Sequence, residues 1–119
     1  AMNICIVCRT NKYCNQYNSM LSESGIKVYE IKRSNSDDRS RNGIRVSTMH
    51  RIKGLEFQYI FVVACNNRVV PLTSAITNQD PIAKEESIIS ERCLLYVSLT
   101  RAQKKAYITS YGKQSEFLD

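Results

Sequence analysis

Alternating apolar and polar segments divide the chain into predicted strands and helices. Residues 3–8 (NICIVC) and 57–65 (FQYIFVVAC) are short runs rich in β-branched and aromatic side chains, which predicts strands buried on both faces of a sheet. Residues 26–31 alternate apolar and polar side chains, and 44–48 and 106–109 are shorter apolar runs. Three more strands are therefore expected there.

Two helices are predicted between these strands. Asn11 can cap a helix, and behind it apolar side chains recur at helical spacing up to Gly25. From 82 to 102, apolar residues fall among good helix formers, and Glu85 and Glu86 are expected in the first turn, where the helix dipole favours acidic side chains. Strands that alternate with helices predict an α/β fold with a mainly parallel sheet.

The remaining segments and the composition indicate one globular domain. Residues 32–43 contain no apolar side chain and 66–80 are rich in turn formers, so both are expected to be irregular. The chain has 119 residues, 43% of them hydrophobic and 24% charged, which is typical of a single domain over 1–119. No apolar run approaches the roughly 20 residues of a membrane span, and no signal pattern begins the chain. No membrane partner and a cytoplasmic location are therefore expected.

Positive charge is concentrated in one segment. The formal net charge is +6, and residues 32–53 carry seven basic side chains against two acidic ones. The basic residues are Lys32, Arg33, Arg39, Arg41, Arg45, Arg51 and Lys53. Such a concentration favours a polyanionic partner, and a solvated basic loop is the alternative.

The cysteines predict thiols rather than a disulfide framework. Their number, five, is odd, and three of them lie within apolar runs. Cys5 and Cys8 have the spacing of a zinc or redox pair, with Cys14 or His50 as further ligands. Residues three apart on a strand point to opposite faces, however, and the sequence has no second pair of this spacing. We expect no metal site.

Three groups of polar residues lie where predicted strands or helices end. Residues 48–56 (TMHRIKGLE) combine a hydroxyl, an imidazole, two cations and a carboxylate between two strands, and the alternative is a polar helical turn ended by Gly54. Arg101 lies near the end of the second helix, where it could compensate the helix dipole or bind a phosphate. Arg9 directly follows the first strand. These cations predict one shared anionic ligand.

These segments resemble the motifs of a helicase family. STMHRIKGLEF (47–57) resembles motif V of the UvrD/Rep-like superfamily 1 DNA helicases, ERCLLYVSLTRA (91–102) resembles motif VI, and CRTN (8–11) is similar to motif IV. The ending GKQSEFL (112–118) also resembles the end of that domain, so the likeness spans nearly the whole chain in the family's order. It implies a RecA-like three-layer domain, the second motor domain of an ATP-driven translocase.

The resemblance also implies which residues face the nucleotide. Arg9 and Arg101 match the arginines of motifs IV and VI that approach the γ-phosphate of ATP when the two motor domains close. Glu56 matches the motif V carboxylate near the ribose, and Lys53 lies on the same turn. ATP with Mg²⁺ would therefore bind only together with the N-terminal RecA-like domain of the same helicase.

Motif V implies a nucleic-acid contact as well. Thr48 and His50 match residues that touch single-stranded DNA, so this motif joins the two ligands. Many relatives carry a large accessory domain between motifs IV and V, whereas only the polar segment 32–43 separates them here. The polarity of unwinding is therefore open.

The sequence also lacks the other half of an ATPase. It contains neither the phosphate-binding loop G-x-x-x-x-G-K-[ST] nor an apolar strand that ends in an Asp-Glu pair. We therefore expect a fragment of a larger ATP-dependent DNA helicase that does not hydrolyse ATP by itself. The alternative is a free-standing nucleic-acid-binding module derived from a helicase. A protein-interaction domain ranks last, because it leaves the arginines without a role.

Overall fold

A computed structural model describes residues 3–32 and 37–118 of the chain. The strands are β1 (Ile4–Cys8), β2 (Val28–Glu30), β3 (Ile44–Thr48), β4 (Phe57–Val62) and β5 (Ala102–Ile108), and the helices are α1 (Asn11–Glu23) and α2 (Pro81–Thr100). Short 3-10 helices span Thr73–Ala75 and Glu116–Leu118. The strands form one parallel sheet in the order β2-β3-β1-β4-β5, which confirms the α/β class.

The sheet is the middle of three layers. On one face, Cys5 and Val7 of β1 belong to the core that includes Leu95 of α2. On the other face, Cys8 packs with Cys14 of α1. Cys5 and Cys8 thus point to opposite sides of the sheet, as the strand period predicts. Neither helix described by the structure is long and apolar enough to cross a bilayer.

The second helix begins earlier than the sequence pattern indicates. Asp80 is its N-cap, and the Oδ1 atom of Asp80 accepts a hydrogen bond of 2.8 Å from the backbone N–H of Ala83. Because the helix starts at Pro81, its first turn contains no acidic residue. The expectation that Glu85 and Glu86 lie in that turn is therefore wrong.

The first helix is capped by a different residue from the one predicted. The side chain of Thr10 accepts a hydrogen bond of 3.4 Å from the backbone N–H of Tyr13, while Asn11 is the first helical residue. Thr10 adopts the extended backbone that an N-cap requires. Either residue type caps helices well, so composition alone could not choose between neighbours.

Two strand ends also differ from the prediction. β4 ends at Val62 rather than at 65, and Ala64 then has a φ of 55°, which turns the chain out of the extended conformation. β5 begins at Ala102, ahead of the predicted range 106–109, and Lys105 pairs with Tyr59 of β4. The polar start of β5 gave no apolar signal, because most of this edge strand is exposed.

A fully buried arginine organises the polar loop before β3. The Arg45 side chain has no exposed area, and its guanidinium lies over the Tyr29 ring, 4.6 Å from the centroid. It donates hydrogen bonds of 2.9 Å to the carboxylate of Asp37, 2.8 Å to the carbonyls of Asp38 and Gly43, and 2.7 Å to the carbonyl of Arg41. Arg45 is therefore not free to bind a polyanion. Arg33, in the same basic segment, lies outside the described residues.

Replacing this arginine should destabilise the domain strongly. We expect Arg45→Met to lower the free energy of unfolding by about 3 to 5 kcal/mol, because the buried carboxylate of Asp37 then loses its buried partner and keeps only its bond to the exposed Arg39. Asp37 is the residue left behind, with a side chain only 4% exposed. Urea denaturation followed by circular dichroism measures the loss.

The control is Arg39→Met. Arg39 also bonds Asp37, at 3.1 Å, but its side chain is 50% exposed. The loss for this variant should be below about 1 kcal/mol. Equal losses in the two variants would show that the loop is not built around Arg45.

Candidate functional site

A buried ion pair lies at the carboxyl edge of the sheet. Arg9 follows β1, and its Nε and Nη2 atoms donate hydrogen bonds of 2.9 and 2.8 Å to the two carboxylate oxygens of Glu91 on α2. The residues are 8% and 4% exposed. The backbone N–H of Leu72 donates a further bond of 2.8 Å to Glu91 Oε1. The pair thus joins β1, α2 and the segment before the first 3-10 helix.

The environment of Glu91 keeps its carboxyl ionised. Burial by itself raises the pKa of Glu91, but the hydrogen bonds from Arg9 and from Leu72 N–H, with the positive charge of Arg9, lower the pKa below its ordinary value. The negative charge of Glu91 therefore balances the positive charge of Arg9. Among the described residues, it forms no ion pair with the nearby Lys53.

A cleft of about 380 Å³ opens beside this pair. Its lining comprises Arg9, His50, Lys53, Ala75, Ser87, Ser90, Glu91, Cys93, Leu94 and Val97. Burial, with the positive charges of Arg9 and Lys53, lowers the pKa of His50, while Glu91 acts in the opposite direction. The imidazole is therefore neutral at pH 7. The cleft offers a cation, a neutral imidazole and hydroxyl groups.

Thr48 has a local role at this edge. Its residue exposure is 6%, and its Oγ1 atom accepts a hydrogen bond of 3.3 Å from the backbone N–H of Arg51. This bond holds the turn that carries His50 into the cleft. The predicted contact of Thr48 with DNA stays a prediction.

A second group of predicted residues lies at the opposite, amino edge of the sheet. Arg101 ends α2, and its carbonyl accepts a hydrogen bond of 3.0 Å from the N–H of Phe57, the first residue of β4. Glu56 directly precedes Phe57, and its Oε2 atom accepts a bond of 3.1 Å from Gln103. Among the described residues, Arg101 Nε is the buried side-chain nitrogen that has no hydrogen-bond partner.

The structure does not bring the three predicted cationic groups to one ligand. Glu91, which holds Arg9, and Arg101 are ten residues apart on one helix, hence about 15 Å apart along its axis. Arg9, His50 and Lys53 share the carboxyl-edge cleft, whereas Arg101 lies with Glu56 at the other edge. Lys53, predicted on the nucleotide side with Glu56, lines the cleft with His50 instead.

Sequence reasoning missed Glu91 and Gln103. Glu91 is buried within the helical segment 91–102, and a carboxylate among the apolar positions of a core helix is a signal that a buried partner exists. The partner, Arg9, is 82 residues away, so no local pattern could name it. Gln103 gave no signal, because it lies on an exposed strand.

Comparison with known families settles the classification. The family model described as the UvrD-like helicase C-terminal domain matches residues 29–113. The chain belongs to this family. The match includes Thr48, His50, Glu56, Glu91 and Arg101 and begins after Arg9, so both edges of the UvrD-like domain carry matched residues.

Several curated proteins are similar to part of this UvrD-like domain. The ATP-dependent DNA helicase PcrA of Staphylococcus epidermidis is 38% identical over 71 residues, which is 60% of this chain and 9% of that protein. PcrA of Staphylococcus aureus strain Mu50 is 37% identical over 70 residues, and the ATP-dependent DNA helicase Rep of Buchnera aphidicola is 35% identical over 69. The matched segment spans about 9% of the length of these relatives.

A solved structure supports the fold. The C-terminal domain of a possible DNA helicase from Lactobacillus plantarum WCFS1 superposes with a TM-score of 0.68 at 22% identity. The superposition covers 98% of this chain and 60% of the other. The three-layer α/β architecture is therefore that of a helicase C-terminal domain, as the sequence resemblance implies.

The Glu91 pair should make stability depend on pH in a defined direction. Glu91→Gln should lower the free energy of unfolding by about 3 kcal/mol at pH 7, because it leaves Arg9 buried without a charge partner. The folded pKa of Glu91 is depressed, so the wild-type advantage is complete above the ordinary glutamate value of about 4.3 and is lost as the pH falls through the folded pKa.

Urea denaturation of both proteins between pH 7 and pH 3 measures this difference. Glu86→Gln, an exposed site on the same helix, is the control and should follow the wild type throughout. A difference between wild type and Glu91→Gln that stays constant down to pH 3 would contradict the ionised pair.

Proposed function

We propose that this UvrD-like domain is the second motor domain of an ATP-dependent DNA helicase. The supporting observation is the buried Nε of Arg101, which has no hydrogen-bond partner among the described residues. The backbone of Arg101 pairs with Phe57, next to Glu56, at the edge opposite the cationic cleft. Two separate polar sites suit a domain that meets a nucleotide at one edge and a nucleic acid at the other. ATP with Mg²⁺ is the proposed cofactor, held jointly with the first motor domain, and it supplies the phosphoryl group and the driving force.

Arg101 is the proposed contact to the γ-phosphate. Its Nε is a buried donor without an acceptor, and its Nη2 bonds only the neighbouring Thr100, at 3.3 Å. A planar guanidinium can turn from such a weak local bond to a phosphoryl group and satisfy two donors at once. Glu56, whose carboxylate accepts a hydrogen bond from Gln103, is the proposed acceptor of hydrogen bonds from the ribose.

Arg9 takes a different proposed role from Arg101. Its Nε and Nη2 are both committed to Glu91, and breaking a buried pair is costly. Only Nη1 lies outside those two bonds. We therefore assign Arg9 mainly to holding the cleft and count its predicted γ-phosphate contact as secondary.

The carboxyl-edge cleft is the proposed track for single-stranded DNA. Lys53 can neutralise a backbone phosphate, and the neutral His50 can hydrogen-bond or stack on a base. Ser87 and Ser90 supply hydroxyl groups along the same cleft. Thr48 supports this track by fixing the turn that carries His50.

The segment 49–56 connects the two proposed sites. It starts at the carboxyl end of β3 and ends at the amino end of β4. It therefore runs from the carboxyl edge of the sheet back to the amino edge. Met49 and Ile52 of this segment are completely buried, which makes it a packed connection. Domain closure around ATP at one edge would thereby move the DNA-binding turn at the other.

We propose a cytoplasmic location for the protein.

The ATP role is tested on the complete native polypeptide that contains this domain. We expect Arg101→Ala to lower the rate constant for DNA-stimulated ATP hydrolysis by about 10³-fold, the lower end of what an arginine supplied across a cleft contributes. Arg92→Ala is the matched control, since Arg92 is an exposed arginine of the same helix, stacked over Phe117. Equal activity of the two variants would refute the assignment. The 119-residue chain alone should show no hydrolysis.

The DNA role is tested by fluorescence anisotropy with a labelled oligothymidylate. Lys53→Ala should weaken binding and lower the slope of log affinity against log salt by about 0.7, the value for one lost contact to single-stranded DNA. His50→Ala should weaken binding without changing that slope.

Lys104→Ala, an equal charge change on exposed β5, is the control and should leave both quantities unchanged. If Lys104→Ala acts like Lys53→Ala, binding is diffuse and the cleft is not the track. Submicromolar binding by the 119-residue chain at physiological salt would favour the alternative function, a free-standing binding module.

A further inference from the structure

Two buried thiols belong to one small core beside the turn between β1 and α1. Cys8 is the last residue of β1, and Cys14 lies in the beginning of α1. They are 0% and 2% exposed and belong to the same small core under α1. Both side chains pack in this core together with Val46 and Val63. No role in nucleotide or nucleic-acid binding uses them.

Cys14 is also the point at which α1 is attached to the sheet. It is the buried residue of this helix, and the helix's other contacts to that core come from half-buried Tyr13, Tyr17 and Leu21. A helix held by so narrow an apolar contact opens locally at low cost compared with the central strands. Such an opening would expose Cys14 and uncover Cys8 beneath it, which gives a small oxidant access to both sulfurs.

The pair is also chemically asymmetric. The side-chain hydrogen bond from Cys8 lowers the pKa of Cys14, although burial and the charge of Glu30 act against this, and the charge of Arg51 adds to the lowering. The same hydrogen bond and burial raise the pKa of Cys8 well above its usual range. Cys14 therefore ionises first and is the more nucleophilic sulfur of the two.

We propose that Cys8 and Cys14 form a redox-active dithiol that hydroperoxides convert into an intrachain disulfide. The Cys14 thiolate attacks the peroxide oxygen, so that an S–O bond forms, the O–O bond breaks and hydroxide leaves. Cys8 then attacks the sulfenic sulfur, the S–S bond forms, and the S–O oxygen departs as water with the thiol proton. In sum, two thiols and hydrogen peroxide give one disulfide and two waters.

The disulfide would close the turn that carries Arg9 and Thr10. Arg9 holds Glu91, and Thr10 caps α1, so the bond would fasten α1 to the edge of the sheet beside the cleft. A small dithiol reductant reverses the reaction by thiol exchange. A reversible bond of this kind suits a cytosolic protein, in which lasting disulfides are rare.

The test is peptide mapping of the chain after brief treatment with hydrogen peroxide. Remaining thiols are blocked with N-ethylmaleimide, and the unreduced chain is digested with trypsin. Trypsin cleaves after Arg9 and Lys12, so the proposed bond joins peptide 1–9 to peptide 13–27. The intact chain should lose the mass of a hydrogen molecule, and dithiothreitol should restore it.

Variants identify the sulfurs, because Cys5 shares peptide 1–9 with Cys8. The linked peptides should persist in Cys5→Ala and in Cys93→Ala, which removes the exposed thiol, and should disappear in Cys8→Ala and Cys14→Ala. If Cys8→Ala does not fold, fragment ions of the linked wild-type peptides still distinguish Cys5 from Cys8.

Two results would overturn the proposal. One is recovery of Cys8 and Cys14 as maleimide adducts while Cys93 is oxidised. The other is a link between Cys5 and Cys14. Hydrogen exchange is the second measurement. A disulfide should slow amide exchange in α1 on oxidation and leave exchange in β4 unchanged, whereas two thiols that are only buried should show no change in α1.

Discussion

The ion pair between Arg9 and Glu91 is the interaction on which the arrangement of this domain depends. Removing two charges from water is costly, and here two short parallel hydrogen bonds and a third from Leu72 N–H offset the cost. Apolar burial is non-directional, so it does not by itself fix the register of α2 along the sheet. The pair removes that freedom, because Glu91 can reach Arg9 in only one register. The same ion pair therefore sets the position of Arg101, which lies about 15 Å further along the helix.

That fixed register explains why one compact domain can present two separate chemistries. All strands run parallel, so residues that follow strands and residues that precede them collect at opposite edges. The segment 49–56 follows β3 and precedes β4, and it therefore contributes His50 to one edge and Glu56 to the other. The buried residues Met49 and Ile52 make the connection stiff. A ligand bound at either edge, as proposed, would therefore act on a single packed segment rather than on two independent loops.

The sequence was sufficient where the signal is local. The apolar runs of β1, β3 and β4, and the apolar residues among good helix formers in α2, predicted these elements and the parallel sheet. The motif strings identified the family. The strand start at Ala102 was missed because its surroundings are polar and exposed. The sequence predicts one ligand for Lys53, Arg9 and Arg101, and Lys53 and Arg9 do share a cleft. The separation of Arg101 from them could not be predicted, because it arises from the packing of α2 against the sheet. Resemblance assigned residues to ligands one at a time, whereas packing decides which of them share a cleft.

The basic segment 32–53 shows that the number of charged residues in a sequence does not give the charge at the protein surface. Arg45 is buried with Asp37, and the guanidinium groups of Arg39 and Arg41 lie over aromatic rings, 6.0 Å from Phe57 and 5.6 Å from Tyr29. These arginines pack between the loop before β3 and the aromatic side chains at the edge of the core. The argument for a polyanionic partner therefore cannot rest on composition. It rests on Lys53, which lines the cleft beside Glu91, a carboxylate that already binds Arg9.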